Sequence, residues 1–105
     1  MATSFTARPD GGEQAISSVG TTWAEVRLPL RTRRVTVNFS GVSGYLGRGQ
    51  TEGGAVTGHS GVVADSPFEI VLGPPSYAEL GLGYRPINIA VSTGTANVFV
   101  RSEVL

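Results

Sequence analysis

The stretch Arg33-Arg34-Val35-Thr36-Val37-Asn38-Phe39-Ser40 decides the fold of this 105-residue chain. Apolar and polar side chains alternate along it, so that Val35, Val37 and Phe39 share one face of an extended backbone. The opposite face is polar, and the β-branched side chains favour a strand. The stretch therefore predicts a half-buried β-strand with one face on a core.

The same two-residue period recurs along the chain, whereas helical spacing of apolar residues is hard to find for more than one turn. It predicts further strands at 22–28, 67–72, 87–92 and 95–102. Because a short turn joins the last two, we expect them to form an antiparallel hairpin. In the strand at 67–72, Val71 falls on the outward side, which indicates a strand covered on both faces.

Two regions carry glycine and proline in place of alternation. Residues 41–61 hold eight glycines and are expected to form a loop or bulged hairpin, with short strands at 45–46 and 61–64 and an exposed connection at 49–58. Residues 73–85 are expected to form a long ordered crossover. Seven or eight short strands with such connections predict an all-β fold, a single antiparallel β-sandwich of jelly-roll or immunoglobulin-like topology.

Length and composition limit the chain to one domain with one modest core. We expect a flexible N-terminal arm at 1–12, which has no apolar run of the signal-peptide kind, followed by a β-sandwich domain at 13–105. Without cysteine, neither disulfides nor thiolate metal sites can stabilise the fold. Eight arginines balance eight acids, so no net field favours nucleic acid or an acidic membrane as a partner.

No catalytic motif is assembled in the sequence. His59 is the single histidine, and its surroundings miss the nucleophile-elbow spacing because Val62 stands where that motif needs glycine. A hydrolytic triad of His59 and Asp65 with Ser60 or Ser66 is the weakest alternative. The acids are scattered singly, so no metal site is predicted. We expect a protein that is not an enzyme and binds no cofactor.

Basic residues cluster at one place, namely Arg27, Arg31, Arg33 and Arg34. They are either solubilising positions around an exposed turn or a docking edge that pairs with acidic residues of a neighbour. A second set of side chains consists of aromatic residues that could stack on the apolar faces of sugars. These are Trp23, Tyr45, Tyr77 and Tyr84, and they make carbohydrate binding the main alternative function.

Four stretches carry a family resemblance: a strand ending in Leu-Pro at 23–29, a Val-x-Val strand at 33–37, the segment SPFEIVLGP at 66–74 and the segment IAVSTGTANV at 89–98. In this order they resemble small β-sandwich structural proteins from the virions of tailed bacteriophages and from phage-like gene transfer agents. The likeness covers most of residues 20–105, although the loop 41–61 departs from the more compact members.

The resemblance implies a non-enzymatic virion structural protein that binds the capsid as a decoration, cement or head-spike base protein. It further implies a homo-oligomer on the capsid surface, made in the host cytoplasm, whose partners are capsid or other virion proteins. A neck or tail structural role is one alternative, and a carbohydrate-binding module with a host-surface glycan as partner is another. The residues expected to contact partners are Phe5, Arg8, Arg27, Arg31, Arg33 and Arg34.

Overall fold

The computed structural model describes residues 3–7, 11–57 and 61–104, and in it two β-sheets pack face to face. This arrangement confirms the predicted all-β sandwich. Its elements are β1 (Thr3–Thr6), β2 (Gly12–Val19), β3 (Ala24–Leu28), β4 (Thr32–Phe39), β5 (Gly44–Gly47), β6 (Gly61–Val62), β7 (Phe68–Val71), α1 (Tyr77–Leu82), β8 (Arg85–Val91) and β9 (Ala96–Val104). No helix of the described residues is long and apolar enough to cross a membrane.

One sheet has five strands in the order β1-β3-β8-β5-β6, and the other has four in the order β2-β9-β4-β7. Paired strands run antiparallel except β1 and β3, which are parallel. β1 falls within the segment 1–12 that we predicted to be a flexible arm. Its Phe5 packs against the core, and the N–H of Ala7 donates to the carbonyl of Arg27 at 2.8 Å, so this part of the arm completes the edge of the larger sheet.

The core lies between the sheets, and β4 contributes its predicted apolar face. Val35, Val37 and Phe39 are fully buried. β5 meets β4 at Gly44, where an added Cβ would overlap the ring of Phe39. Glycine at this position therefore allows the two sheets to approach each other closely. The other core residues include Ile16, Val19, Val26, Leu28, Ile87, Ile89, Val91, Val98 and Val100.

The predicted C-terminal hairpin is wrong, because β8 and β9 lie in different sheets. β8 pairs with β3 and β5, and β9 pairs with β2 and β4, so each is a central strand with both edges occupied. The short turn between them, with Gly94 at φ 64°, carries the chain from one layer of the sandwich to the other. Alternation fixes which face of each strand is buried, but it does not specify which strand is its neighbour.

The glycine-rich loop after β5 is folded onto the outer surface of the larger sheet. Trp23 is 2% exposed there, and its backbone N–H donates to the carbonyl of Gly54 at 2.9 Å while its carbonyl accepts from Gly53 at 2.7 Å. The indole lies over Gly47, where a Cβ would approach it to 3.1 Å. The predicted exposed connection is thus attached to the domain by Trp23. It covers the outer side of β8, where Asn88 and Ala90 are buried.

Candidate protein-binding surface

The crossover between β7 and β8 is held in place by a buried arginine. Arg85 is 1% exposed, and the five N–H groups of its guanidinium make six hydrogen-bond contacts, with one N–H of Nη2 shared between two acceptors. Four go to backbone carbonyls, of Thr32 and Gly73 at 2.6 Å each and of Leu72 and Pro74 at 3.2 Å each. Two go to the carboxylate of Glu79. A buried charge is tolerated only when it is satisfied in this way, so Arg85 joins the end of β7 and the crossover to the sandwich.

Glu79 is the counter-charge for this arginine and is itself 7% exposed. Burial works against ionisation of its carboxyl, but hydrogen bonds from the backbone N–H of Ser76 and from Arg85 outweigh it and hold the pKa of Glu79 below its ordinary value. The same carboxylate accepts a bond from Arg48 at 3.2 Å. Glu79 therefore links the buried Arg85 to the half-exposed Arg48 on the loop after β5.

The helix α1 has well-formed ends although it contains only six residues. Ser76 and Glu79 form a reciprocal capping box, in which the Ser76 hydroxyl accepts from the N–H of Glu79 at 3.2 Å. At the other end Gly83 adopts the left-handed conformation at φ 83°, and its N–H donates to the Glu79 carbonyl at 2.9 Å. These caps and the pair with Arg85 fix the helix against the sandwich.

Exposed large apolar side chains are concentrated next to these anchors. Tyr77 is 94% exposed, and Leu80 and Leu82 are each 52% exposed, so α1 presents an apolar surface while its one buried residue is Glu79. The described residues with large exposed apolar side chains all fall between positions 63 and 82, and they are Val63, Phe68, Val71, Tyr77, Leu80 and Leu82. Concentration of exposed apolar groups in one segment is typical of a protein-binding surface.

An open groove of about 450 Å³ lies beside this segment, between the edge strands β6 and β7 of the two sheets. Leu46 and Val62 from the larger sheet face Phe68 and Ile70 from the smaller sheet across it. Phe68 and Ile70 pair in register with Val37 and Val35, so they belong to the inner face of their sheet. Phe68 is nevertheless 45% exposed, because no strand of the described chain lies next to β7 on that side.

Arg48 also lines the groove, so the groove and α1 lie on one side of the molecule. We refer to the groove, the β7 edge and α1 together as the open-edge surface. The prediction that β7 is covered on both faces is wrong, since Val71 on its outer face is 69% exposed. The sequence indicated which residues of β7 point inward, but nothing in it predicted that β7 is an edge strand with an exposed inner face.

The predicted contact residues are spread over several surfaces. Arg27 lies on the outer face of the larger sheet, bonded to Glu25 at 2.6 Å and stacked over the ring of Tyr84 at 4.8 Å. Arg33 donates to the carbonyl of Leu30 at 3.0 Å.

On the outer face of the smaller sheet, Arg34 lies 3.7 Å from both Glu69 and Glu103. Arg31 is exposed and lines a second cavity together with Arg27. Arg8 lies outside the described residues. Apart from that undescribed position, the structure does not bring the predicted residues together on one face, and their role in binding stays a prediction.

The other sequence candidates find no common site either. The predicted aromatic platform is not formed, because Trp23 is buried under the loop while Tyr77 protrudes from α1. Among the residues that the structure describes, no three histidine, cysteine or acidic side chains come close enough to hold a metal ion. His59 and Ser60 lie outside that part of the chain, and so does the triad that would use them.

No family model matches the chain, and no curated protein matches its sequence. A solved structure does match: the crystal structure of PliG from Aeromonas hydrophila, a periplasmic lysozyme inhibitor of g-type lysozyme. The two chains share 13% identity at a TM-score of 0.53, and the alignment covers 96% of each. At this identity the likeness supports the fold along almost the whole length of the chain.

This comparison overturns the virion interpretation. The matching structure is that of a periplasmic enzyme inhibitor, so the resemblance to phage structural proteins is wrong. The predicted functions are corrected with it: capsid decoration, its neck or tail alternative, and the glycan-binding alternative that rested on the aromatic residues. The virion partners and the capsid location are corrected as well. The four stretches that carried the resemblance are strands and their connections, which follow from the fold and do not identify a function. An inhibitor is compatible with the predicted absence of enzymatic activity.

Proposed function

We propose that this protein binds another protein through its open-edge surface and thereby inhibits an enzyme, with a g-type lysozyme as the first partner to test. The observation that carries the proposal is the set of exposed apolar side chains on α1, a helix held by its caps and by Arg85, with Tyr77 at 94% exposure. The matching structure is that of an inhibitor of g-type lysozyme, which supports the choice of partner class. Because that inhibitor is periplasmic, we also propose a periplasmic location.

Preorganisation of α1 would favour binding. Tyrosine is enriched at the centres of protein interfaces because it brings a large apolar area at a small cost in conformational entropy. Here the side chain projects from a helix fixed by a capping box and by the buried Arg85–Glu79 pair at 3.2 Å. A partner would therefore meet a surface that needs little ordering on association.

The experiment has two readouts, binding of g-type lysozyme by titration calorimetry and lysis of a cell-wall suspension by the enzyme. We expect a saturable complex and a dose-dependent loss of lysis. Tyr77→Ala and Leu80→Ser should each weaken binding at least tenfold, which corresponds to about 1.4 kcal/mol per substitution.

Ser17→Ala is the matched control, because Ser17 is exposed on β2, at the opposite edge of the smaller sheet from β7. It should leave both readouts unchanged. An absence of binding at about 100 μM enzyme, a concentration that still detects affinities weaker than ordinary specific complexes, would exclude lysozyme as the partner. If Tyr77→Ala and Leu80→Ser both bind lysozyme as tightly as the parent protein and the Ser17→Ala control, the open-edge surface is excluded as the binding site.

A further inference from the structure

We infer that the β7 edge binds an extended segment of a partner protein, which adds a fifth strand to the smaller sheet. The segment would carry apolar side chains at alternate positions and an acidic side chain at the Arg48 end of the groove. The inference rests on the proposed protein-binding function and specifies the form of the partner.

The backbone groups of β7 point alternately toward β4 and toward the open edge of the sheet. The N–H of Leu72 donates to the carbonyl of Arg33 at 2.8 Å, so Leu72 directs its backbone groups toward β4. Backbone direction alternates along an antiparallel strand, and Ile70, opposite Val35, therefore also faces β4. Glu69 and Val71 then direct their N–H and C=O groups away from the sheet. These donors and acceptors are available to an added strand.

The described part of the chain has four sheet edges, at β1, β6, β2 and β7, and they differ in how well they suit an added strand. β2 is interrupted by a register shift after Ile16, with Ser18 at φ 60°, which distorts that edge. β6 has only two residues, and β1 carries hydroxyl side chains at three of its four positions. β7 keeps a regular register and is apolar at three of four positions. It is the edge best suited to pairing.

The groove beside β7 determines which side chains an added strand could carry. Inner-facing side chains of a strand added beside β7 would enter the space of about 450 Å³ between Phe68 and Val62. That space is apolar, so alternate residues of the segment should be apolar. The larger sheet has five strands and the smaller has four, and the added strand would cover the inner face that Phe68 leaves exposed.

The positive charge at the groove favours a partner segment over a second copy of this chain. Arg48 and Arg85 share the single carboxylate of Glu79, which leaves one positive charge at the groove. An acidic side chain on the segment would complement it. The inner-facing residues of a second β7, Phe68 and Ile70, offer no such acid.

The test begins by selecting a phage-displayed library of random 12-residue peptides against the whole protein. The two variants Val71→Pro and Val71→Thr are then compared for binding of the selected peptides. Proline removes only an N–H that points away from β4, so the ladder of the smaller sheet is retained, whereas threonine keeps the N–H and nearly the same volume. Near-ultraviolet circular dichroism of Trp23 reports whether each variant is folded.

We expect peptides that alternate apolar and polar residues and include Asp or Glu. They should bind Val71→Thr within threefold of the parent and Val71→Pro at least tenfold more weakly. In case Val71→Pro does not fold, amide hydrogen exchange is measured on the parent protein. The exchange of the Glu69 and Val71 amides should slow at least tenfold in the presence of a selected peptide.

Equal binding to the folded proline and threonine variants, unchanged exchange at Glu69 and Val71, or failure to enrich any peptide would overturn the inference. Selected peptides without acidic residues would overturn the inferred pairing of an acidic side chain with Arg48. A dimer in light scattering that Val71→Pro dissociates would assign the edge to a second copy instead. None of these results depends on lysozyme, so failure of this inference and failure of the lysozyme proposal can be told apart.

Discussion

Replacing Arg85 by methionine would remove the guanidinium that anchors the β7–β8 crossover and keep most of the aliphatic length. The change deletes the hydrogen bonds of all five guanidinium N–H groups and leaves the Glu79 carboxylate, 7% exposed, without its buried counter-charge. Removing one partner of a buried ion pair costs about 3–5 kcal/mol. Because Arg48 stays 3.2 Å from Glu79, we expect the lower end, a loss of about 3 kcal/mol in the free energy of unfolding.

Urea unfolding followed by Trp23 fluorescence measures this loss, since the single tryptophan is 2% exposed in the fold. Domains of this size are stable by about 5–15 kcal/mol, so the variant should remain folded in water. Arg31→Met is the matched control, because Arg31 is exposed, and it should change stability by less than about 0.5 kcal/mol. A loss below about 1 kcal/mol for Arg85→Met, at an unchanged denaturant slope, would refute the anchoring role.

Three further expectations follow from the same structure. The pKa of Glu79 is lowered from 4.5, so its ionised form stabilises the fold above pH 4.5. This contribution is lost as the pH falls through the lowered pKa. Glu79→Gln should remove that part of the pH dependence of the urea unfolding midpoint. Gly44→Ala should cost about 1–3 kcal/mol in thermal unfolding because its Cβ meets the Phe39 ring, whereas Gly61→Ala, with its nearest atom at 3.7 Å, should cost far less. Tyr77→Ala should leave the free energy of unfolding within about 0.5 kcal/mol of the parent, and a larger loss would mean that the ring packs on the domain.

Local pattern was enough to predict most of the strands that form the core, but it missed β2, which contributes Ile16 and Val19. Alternation predicted β4, β7 and the strand that ends at Leu28. The glycine content predicted the loop after β5. Which strands pair with each other could not be predicted. β8 and β9, for example, carry the same alternating pattern whether they pair together or lie in different sheets. β1 was missed for a related reason, since four mostly polar residues form a strand only by pairing with β3.

The open-edge surface was the harder part to predict. The Ser76 and Glu79 capping pattern is visible in the sequence, yet the helix it begins has a single apolar turn within a region of two prolines and several glycines. Arginine is seldom buried, so nothing local marks Arg85 as the anchor. Its four carbonyl acceptors come from Thr32 and from the end of β7 and the residues after it, and only the folded chain brings them together.

The anchor and the binding surface are connected through one carboxylate. Glu79 holds Arg85 inside the fold and Arg48 at the groove, so its ionisation affects both stability and the charge available to a partner. Neutralising it would leave two guanidiniums without a counter-ion. The positive charge at the groove would rise while the helix that carries Tyr77 lost its anchor. Acidification should therefore weaken binding in two ways, because an exposed acidic side chain of the segment is protonated before Glu79, and protonation of Glu79 then removes the preorganisation of α1.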